Sequence, residues 1–198
     1  MSTNTDTNKY HYDLTNVHVA ELMTDDADEG ATFGTPERMP GAVSMDLSAQ
    51  GEIFKFRADG MDYIVSENNQ GYEGSITFAM VPDWFRQKYL SNRVSENNKV
   101  MTETANGESK KFALLYEFKG DKQNRRHVLY NCIATRPNIK GENKENPKEP
   151  DTEELTITAP PIANGDVKSS TTSDTPKEVY DGWFKNVWTK DTTEGAGG

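Results

Sequence analysis

The 198-residue sequence has a single cysteine, Cys132, and therefore cannot form an intrachain disulfide. Its fold does not depend on an oxidising compartment. Only 33% of the residues are hydrophobic, and no apolar run approaches the length that crosses a membrane. The first thirteen residues have no apolar stretch of the kind found in secretion signals. These shortages predict a chain without a membrane partner that stays in the cytoplasm where it is made.

The sequence also lacks the groupings on which catalysis and metal binding depend. Its three histidines, His11, His18 and His127, lie far apart. His127 and Cys132 are an odd number of residues apart on one predicted strand, so their side chains are expected on opposite faces. The sequence has no nucleophile elbow and no glycine-rich phosphate loop. We therefore predict that the chain is not an enzyme and needs no cofactor or metal.

Acidic residues outnumber basic ones, and the formal net charge is −10. Because affinity for nucleic acid comes mainly from Lys and Arg side chains that meet phosphates, a chain of this charge is not expected to bind DNA tightly. A conduit along which DNA slides remains compatible, since acidic walls do not hold a polyanion. The acidic run at residues 25–30, DDADEG, departs from the spacing of an EF-hand loop, and we interpret it as a solvated loop.

Basic side chains concentrate near one predicted turn. They are Lys119, Lys122, Arg125, Arg126 and His127. We interpret them as a polar hairpin tip rather than a phosphate-binding patch, because no aromatic residues alternate with them. In an acidic oligomer such a tip is also suited to contact carboxylates of a neighbouring subunit.

Alternation of apolar and polar residues predicts strands with one buried face over much of the chain. The alternation includes Val43, Met45, Leu47, Phe54, Phe56, Met61, Tyr63, Ile76 and Phe78. Asp59 and Gly60, which lie between two such runs, predict a tight hairpin turn. A second hairpin is predicted over residues 112–137. Regular short strands separated by turns predict an antiparallel β-sandwich or barrel with one or two short flanking helices.

Two stretches change to helical spacing. In residues 81–90, Pro82 suits a first helical turn, and Phe85 and Tyr89 share one face. Thr175 and Glu178 have the spacing of a capping box, which predicts a second helix that Gly182 weakens. The helices are expected to pack on the sheets through aromatic side chains, namely Trp84, Phe85, Tyr89, Trp183 and Phe184. The alternative is a sugar-stacking platform built from Trp84, Trp183 and Trp188.

The chain is expected to form one domain over residues 14–188. Residues 1–13 are predicted to be a flexible N-terminal arm, and residues 189–198 a flexible C-terminal tail. Residues 138–150 lack periodicity and predict a polar loop. Residues 49–70 are predicted to form an extended hairpin.

Six blocks in a fixed order resemble the major tail proteins of long-tailed bacteriophages (siphophages), and the resemblance covers roughly residues 17–188. The blocks are MPGAVSMDLS (39–48), NNQGYEG (68–74), PDWF (82–85), FALLYEFKGDKQNRRHVLYNCIATRP (112–137), TEELTITAPP (152–161) and VYDGWFKNVW (179–188). The resemblance implies a structural virion protein of a long, non-contractile tail, assembled in the host cytoplasm. Subunits of this type form hexameric rings, which stack into a tail tube that conducts double-stranded DNA into the host cell.

The resemblance also implies partners. They are other copies of the chain, a tape-measure protein in the lumen, tail terminator and distal tail or baseplate proteins, and DNA that passes without specific binding. The extended hairpin is our candidate for the element that reaches the next ring, through Phe54, Phe56, Arg57, Asp59, Gly60, Met61 and Tyr63. The competing hypothesis is a β-sandwich binding module that recognises carbohydrate or protein on a particle surface.

Overall fold

The computed structural model describes residues 8–141, 143 and 151–190. Its strands are β1 (His11–Asp26), β2 (Gly30–Phe33), β3 (Glu37–Arg38), β4 (Ala42–Ala58), β5 (Met61–Phe78), β6 (Arg93–Val94), β7 (Met101–Thr102), β8 (Phe112–Gly120), β9 (Arg125–Ala134), β10 (Glu153–Ala159) and β11 (Lys168–Ser170). Its helices are α1 (Asp83–Tyr89) and α2 (Lys177–Gly182). The predicted mainly β fold with short flanking helices is confirmed. Neither helix has the length and apolar character needed to cross a membrane.

One antiparallel sheet runs through the molecule in the order β2-β1-β8-β9-β10-β5-β4, with β3 added to β1 and β11 added to β9. Strand β9 joins the two halves, because it pairs with β8 and β11 along most of its length and with β10 only at Ile133 and Ala134. The two halves pack face to face as a sandwich around one core. The described strands do not close into a barrel, since the path ends at β2 and at β4.

Strand β8 is buried on both faces over residues 112–117. On one face Phe112, Leu114 and Tyr116 belong to the main core, together with side chains from β5, β10 and α1. On the other face Ala113 and Leu115 belong to a second cluster, which the chain after β11 covers. Strand β8 therefore lies between the two packed clusters of the body.

Helix α1 covers one side of the main core. The ring centroids of Phe85 and Tyr89 lie 5.6 and 5.0 Å from that of Phe112, and both side chains are fully buried. An ion pair fastens the helix to β10, since Arg86 Nη2 lies 2.6 Å from Glu153 Oε1. The other oxygen of Glu153 accepts the backbone N–H of Val81 at 2.6 Å. The start of the helix is thereby fixed to the sheet.

Helix α2 and the residues that follow it cover the second cluster. Trp183 is buried, and Phe184, Val187 and Trp188 are partly buried beside it. The predicted capping box is wrong. The N-cap is Pro176 and makes no side-chain cap, while the Thr175 hydroxyl accepts the backbone N–H of Thr172 at 2.8 Å. The hydroxyl is therefore used by the preceding turn.

The N-terminal boundary also differs from the prediction. Strand β1 begins at His11, so residues 11–13 belong to the sheet and not to a flexible arm. The preceding Asn8 is fixed as well, since its Oδ1 accepts the backbone N–H groups of Lys122 at 3.1 Å and Gln123 at 3.0 Å. Residues 1–7, most of the 138–150 loop and residues 191–198 lie outside the described residues.

Candidate assembly surfaces

Strands β4 and β5 continue beyond the body as a two-stranded ribbon, which we define as residues 51–70. Every residue of the ribbon whose burial is described is exposed. Asp59 and Gly60 form its turn with φ values of 51° and 80°, as the two-residue turn requires. Five large apolar side chains on the ribbon are exposed by half or more, namely Ile53 (64%), Phe54 (63%), Phe56 (51%), Met61 (63%) and Tyr63 (68%). Such a concentration of uncovered apolar side chains is typical of an interaction surface.

The ribbon has two unlike faces. Phe54 and Phe56 lie two residues apart on one strand and hence on one face. Lys55 and Arg57 lie on the opposite face, where Lys55 Nζ is 3.6 Å and Arg57 Nε is 3.4 Å from the Asp62 carboxylate. We name these the aromatic face and the charged face, and the charged face also carries Ile53. All the residues predicted for the ring-stacking hairpin lie on it.

Two glycines mark the place where the ribbon leaves the body. Gly71 has a φ of 99°, and a Cβ there would overlap the carbonyl oxygen of Ala159 on β10. Opposite it, the register of the two strands shifts between Gln50 and Gly51. A Cβ on Gly51 would overlap the carbonyl oxygen of Asn68. The shift and the close strand approach thus require residues without side chains.

Within the body, the outer face of β10, β5 and β4 carries hydroxyl and carboxylate side chains at nine paired positions. Paired residues form three rows across these strands, and we name this surface the hydroxyl–acid face. The rows are Glu154–Thr77–Ser44, Thr156–Ser75–Asp46 and Thr158–Glu73–Ser48. None of these nine positions carries a basic or a large apolar residue. The residues between them on β10 face inward and are buried.

Strand β4 is the edge of this half of the sheet. It pairs with β5 from Ala42 to Ala58, and no described strand pairs with its other side. Its outer N–H and C=O groups are therefore available for another chain.

The basic cluster near the β8–β9 turn divides into surface and core members. Arg126 Nε donates to the buried Glu117 carboxylate at 2.8 Å, and the Arg126 guanidinium lies 3.7 Å from the centre of the Tyr180 ring. Asn16 and Asn124 also donate to Glu117. The Glu117–Arg126 ion pair thereby links β1, β8 and β9 to the C-terminal segment. The sequence analysis did not predict this network, although Glu117, an acid inside the apolar run FALLYEF, indicated a buried charge that needs a partner.

His127 is partly buried, and it lines an open cleft together with Lys9 and Arg125. Its ring stacks on Tyr116 with centroids 5.0 Å apart, and its Nδ1 has no partner among the described residues. Burial, reinforced by the positive charges of Lys168 and Arg125, lowers the pKa of His127 to about 4. Cys132 is buried nearby in the core, and burial raises the pKa of its thiol to about 12. Neither group is suited to acid–base or nucleophilic chemistry near neutral pH.

The aromatic residues predicted to pack on the sheets are divided between the two clusters. Phe85 and Tyr89 are buried in the main core, where Trp84 is partly buried. Trp183 is buried in the second cluster, with Phe184 partly buried beside it. The three tryptophans thus do not form one sugar-stacking platform. Across residues 8–141, 143 and 151–190, no three His, Cys, Asp or Glu side chains are arranged to hold a metal ion.

The chain matches the family model described as phage tail tube protein over residues 11–183. The structure itself defines a mainly β protein with an exposed apolar ribbon and an open strand edge. The chain belongs to the phage tail tube protein family, as its six sequence blocks predict. The family consists of structural phage tail proteins and is not a class of enzyme.

No curated protein shows significant sequence similarity to the chain. Among solved structures, the chain is similar to an anti-feeding prophage cap, the AFP tube terminating cap, which was determined by cryo-EM. The TM-score is 0.43 and the identity 10%, over 87% of this chain and 100% of that chain.

Proposed function

We propose that the chain polymerises as stacked hexameric rings into the tail tube of a long-tailed phage, and that this tube conducts double-stranded DNA into the host cell. Membership of the tail tube family supports a tube subunit. The observation that carries the proposal is the ribbon, whose apolar side chains have no cover in the isolated chain. A second copy that covers them removes this apolar surface from water.

The open edge of β4 supports the formation of rings. A head-to-tail contact that closes on itself produces a ring, and ring closure leaves no strand edge unpaired. In our proposal, β4 of one copy lies against the neighbouring copy, and the sheet halves of successive copies form one continuous wall.

The hydroxyl–acid face is our candidate for the channel lining. Small hydroxyl side chains leave a smooth surface, and Asp46, Glu73 and Glu154 repel phosphates. Without Lys or Arg on this face, DNA finds no cation that would hold it. The same wall would first surround the tape-measure protein, and terminator and distal tail proteins would close the two ends of the tube.

The ribbon is our candidate for the contact between rings. Its aromatic face, with Phe54 and Phe56, would pack on the next ring, while the charged face stays in water. We propose that the body over residues 14–188 folds as one unit that carries the ribbon outward.

Electron microscopy of the purified chain tests the proposal. We expect hollow tubes of uniform width at rising protein concentration, either spontaneously or after addition of tail initiator proteins. A binding module would instead stay small in size-exclusion chromatography at every concentration. A chain that remains monomeric under all these conditions contradicts the proposed function.

A separate experiment tests the channel lining. Ser75→Lys and Thr156→Lys each place a cation in the middle row of the hydroxyl–acid face. Tubes of these variants are expected to retain duplex DNA, whereas wild-type tubes and tubes with Glu96→Lys on an exposed loop are expected to release it at physiological salt. Tight retention of DNA by wild-type tubes would contradict an acidic lining.

A further inference from the structure

Strand β1 connects two ends of the body that carry opposite charge. At its start, the basic end consists of Lys9, Lys119, Lys122 and Arg125. At its finish, the acidic turn consists of Asp25, Asp26, Asp28 and Glu29. At about 3.3 Å per residue, the sixteen residues of β1 separate these ends by up to roughly 50 Å, which is several screening lengths at physiological salt. The two groups of charges therefore cannot neutralise each other within one copy.

The basic end is a built surface. The backbone N–H of Lys9 donates to Asp121 at 2.9 Å, which holds the N-terminal segment against the β8–β9 turn. Lys9 and Arg125 line an open cleft there, together with Tyr10 and His11. Lys119 pairs with Asp13 at 3.2 Å. Four cations thus share this end with the carboxylates of Asp13 and Asp121, and the end remains positive.

The acidic turn is strongly negative and well ordered. The Asp26 carboxylate accepts the backbone N–H groups of Asp28 at 2.8 Å and Glu29 at 2.9 Å. These hydrogen bonds lower the pKa of Asp26 and keep it charged. The side chains of Asp28 and Glu29 are exposed, and residues 22–36 contain no Lys or Arg. Among the described residues, Lys190 is the one basic residue that lines the same cleft as Glu29.

We propose that in the assembled tube the basic end of one copy contacts the acidic turn of an adjacent copy. This inference rests on the proposed function, and it names a second contact surface besides the ribbon. Complementary charges at opposite ends of one strand suit a head-to-tail contact, which repeats from copy to copy. A protein partner fits the basic end better than DNA does, because Asp13 and Asp121 lie among its cations and the whole chain carries a charge of −10.

Charge reversal and charge exchange test the contact with the full chain. One variant carries Asp28→Lys and Glu29→Lys, and a second carries Lys9→Glu and Arg125→Glu. Each is expected to raise the protein concentration needed for half-maximal assembly by about tenfold or more. A variant with all four substitutions restores opposite charges at the interface and is expected to assemble at close to the wild-type concentration.

A matched control separates this contact from the effect of net charge. Glu96→Lys with Glu108→Lys changes the charge by the same amount as the reversed acidic turn, and both residues are exposed outside β1. The control is expected to assemble like the wild type. Raising the salt concentration should weaken wild-type assembly more than assembly of the two reversed variants.

The possible results are distinguishable. If wild-type chains never assemble, the proposed function itself fails. If wild-type chains assemble and both reversed variants assemble equally well, only the contact proposed here is wrong. Failure of the four-substitution variant to recover would show that the two surfaces do not meet each other. If wild-type tubes bind DNA, and reversal of Lys9 and Arg125 abolishes that binding without impairing assembly, the basic end binds DNA and the inference is overturned.

Discussion

Strand β8 and the ribbon both consist of antiparallel β-strand, but they differ in how far their side chains are buried. Residues 112–117 of β8 are buried on both faces, whereas the described residues of the ribbon are exposed on both. Both contain aromatic residues at alternate positions. Strand β8 is covered by α1 and β10 on one side and by the C-terminal segment on the other. Whether a strand belongs to the core therefore depends on the elements that pack over it, and not on the alternation of apolar and polar residues along it.

This difference in burial implies a difference in the free energy that the apolar side chains contribute to folding. Burying a large apolar side chain contributes about 1.5–3 kcal/mol. The free chain gains this contribution at Phe112 and forgoes it at Phe54 and Phe56. In our proposal the ribbon gains it only on assembly. Folding and assembly are thus expected to respond to different sets of mutations.

The largest expected effect on folding is at Phe85. Phe85→Ala should lower the free energy of unfolding by about 3–5 kcal/mol, because the side chain is fully buried against Phe112 and Tyr89. Phe56→Ala in the ribbon is the matched control and should change it by less than about 0.5 kcal/mol. Denaturant titration at a concentration below that of assembly measures both. A loss well under 1 kcal/mol at Phe85 would place this side chain outside the core.

The next effect compares a buried ion pair with an exposed one. Arg126→Leu leaves the Glu117 carboxylate buried without its cation and should cost about 3 kcal/mol. Arg57→Leu removes an exposed partner of Asp62 and should cost less than about 0.5 kcal/mol. The double variant Glu117→Leu with Arg126→Leu should recover much of the loss. Equal effects of the two single substitutions would show that the Glu117–Arg126 pair does not stabilise the body.

A smaller effect follows from the pKa of His127, which burial lowers to about 4. The unfolded chain takes up a proton near pH 6.5, but the folded chain resists protonation until about pH 4. The stability contribution is therefore complete above pH 6.5 and declines by at most roughly 3 kcal/mol as the pH falls to 4. His127→Phe should flatten this part of the profile. If stability declines equally with pH in the wild type and in His127→Phe, the pH dependence comes from carboxylates instead.

The smallest effect on folding is expected in the ribbon. Replacing residues 53–67 by Asn-Gly joins Glu52 and Asn68, which are paired across the two strands. The free energy of unfolding should change by less than about 0.5 kcal/mol, because the removed residues do not pack on the body. Stacking of rings should nevertheless be abolished in electron micrographs. Normal tubes from this variant would place the contact between rings elsewhere.

Amide exchange sharpens the same comparison. Residues 112–117 should be protected in the free chain and in the tube alike. Protection of residues 49–70 should rise on assembly, since a second copy then covers the ribbon. Unchanged exchange in the ribbon would contradict its role between rings.

Local patterns predict the parts of the fold that depend on near neighbours in the sequence. The turn at Asp59 and Gly60 and the shared face of Phe85 and Tyr89 follow from spacing alone. The hydroxyl–acid face does not, although Ser44, Asp46 and Ser48 alternate visibly in the sequence. Its rows form only when β10, β5 and β4 lie in register, and register depends on contacts between distant segments.

Long-range contacts also explain what sequence reasoning missed. Arg126 belongs by sequence to a polar hairpin tip, and only the folded C-terminal segment places Tyr180 over its guanidinium. The failed capping box at Thr175 has a local cause, since the preceding turn competes for the same hydroxyl. The exposure of Phe54 and Phe56 could not be predicted, because alternation does not show whether a covering layer exists.

The continuity of β4 and β5 has a mechanical consequence for the proposed tube. The strand that carries Met61 at the tip also carries Ile76 and Phe78 in the core. Tension on the tip is carried by the covalent backbones of both strands into the body, where the hydrogen bonds between β5 and β10 run across the strands and share the load in shear. A force applied at the tip therefore reaches the sandwich without crossing a loop or a hinge. Each subunit would act as a stiff tensile link, and the tube would resist stretching along the direction of its ribbons.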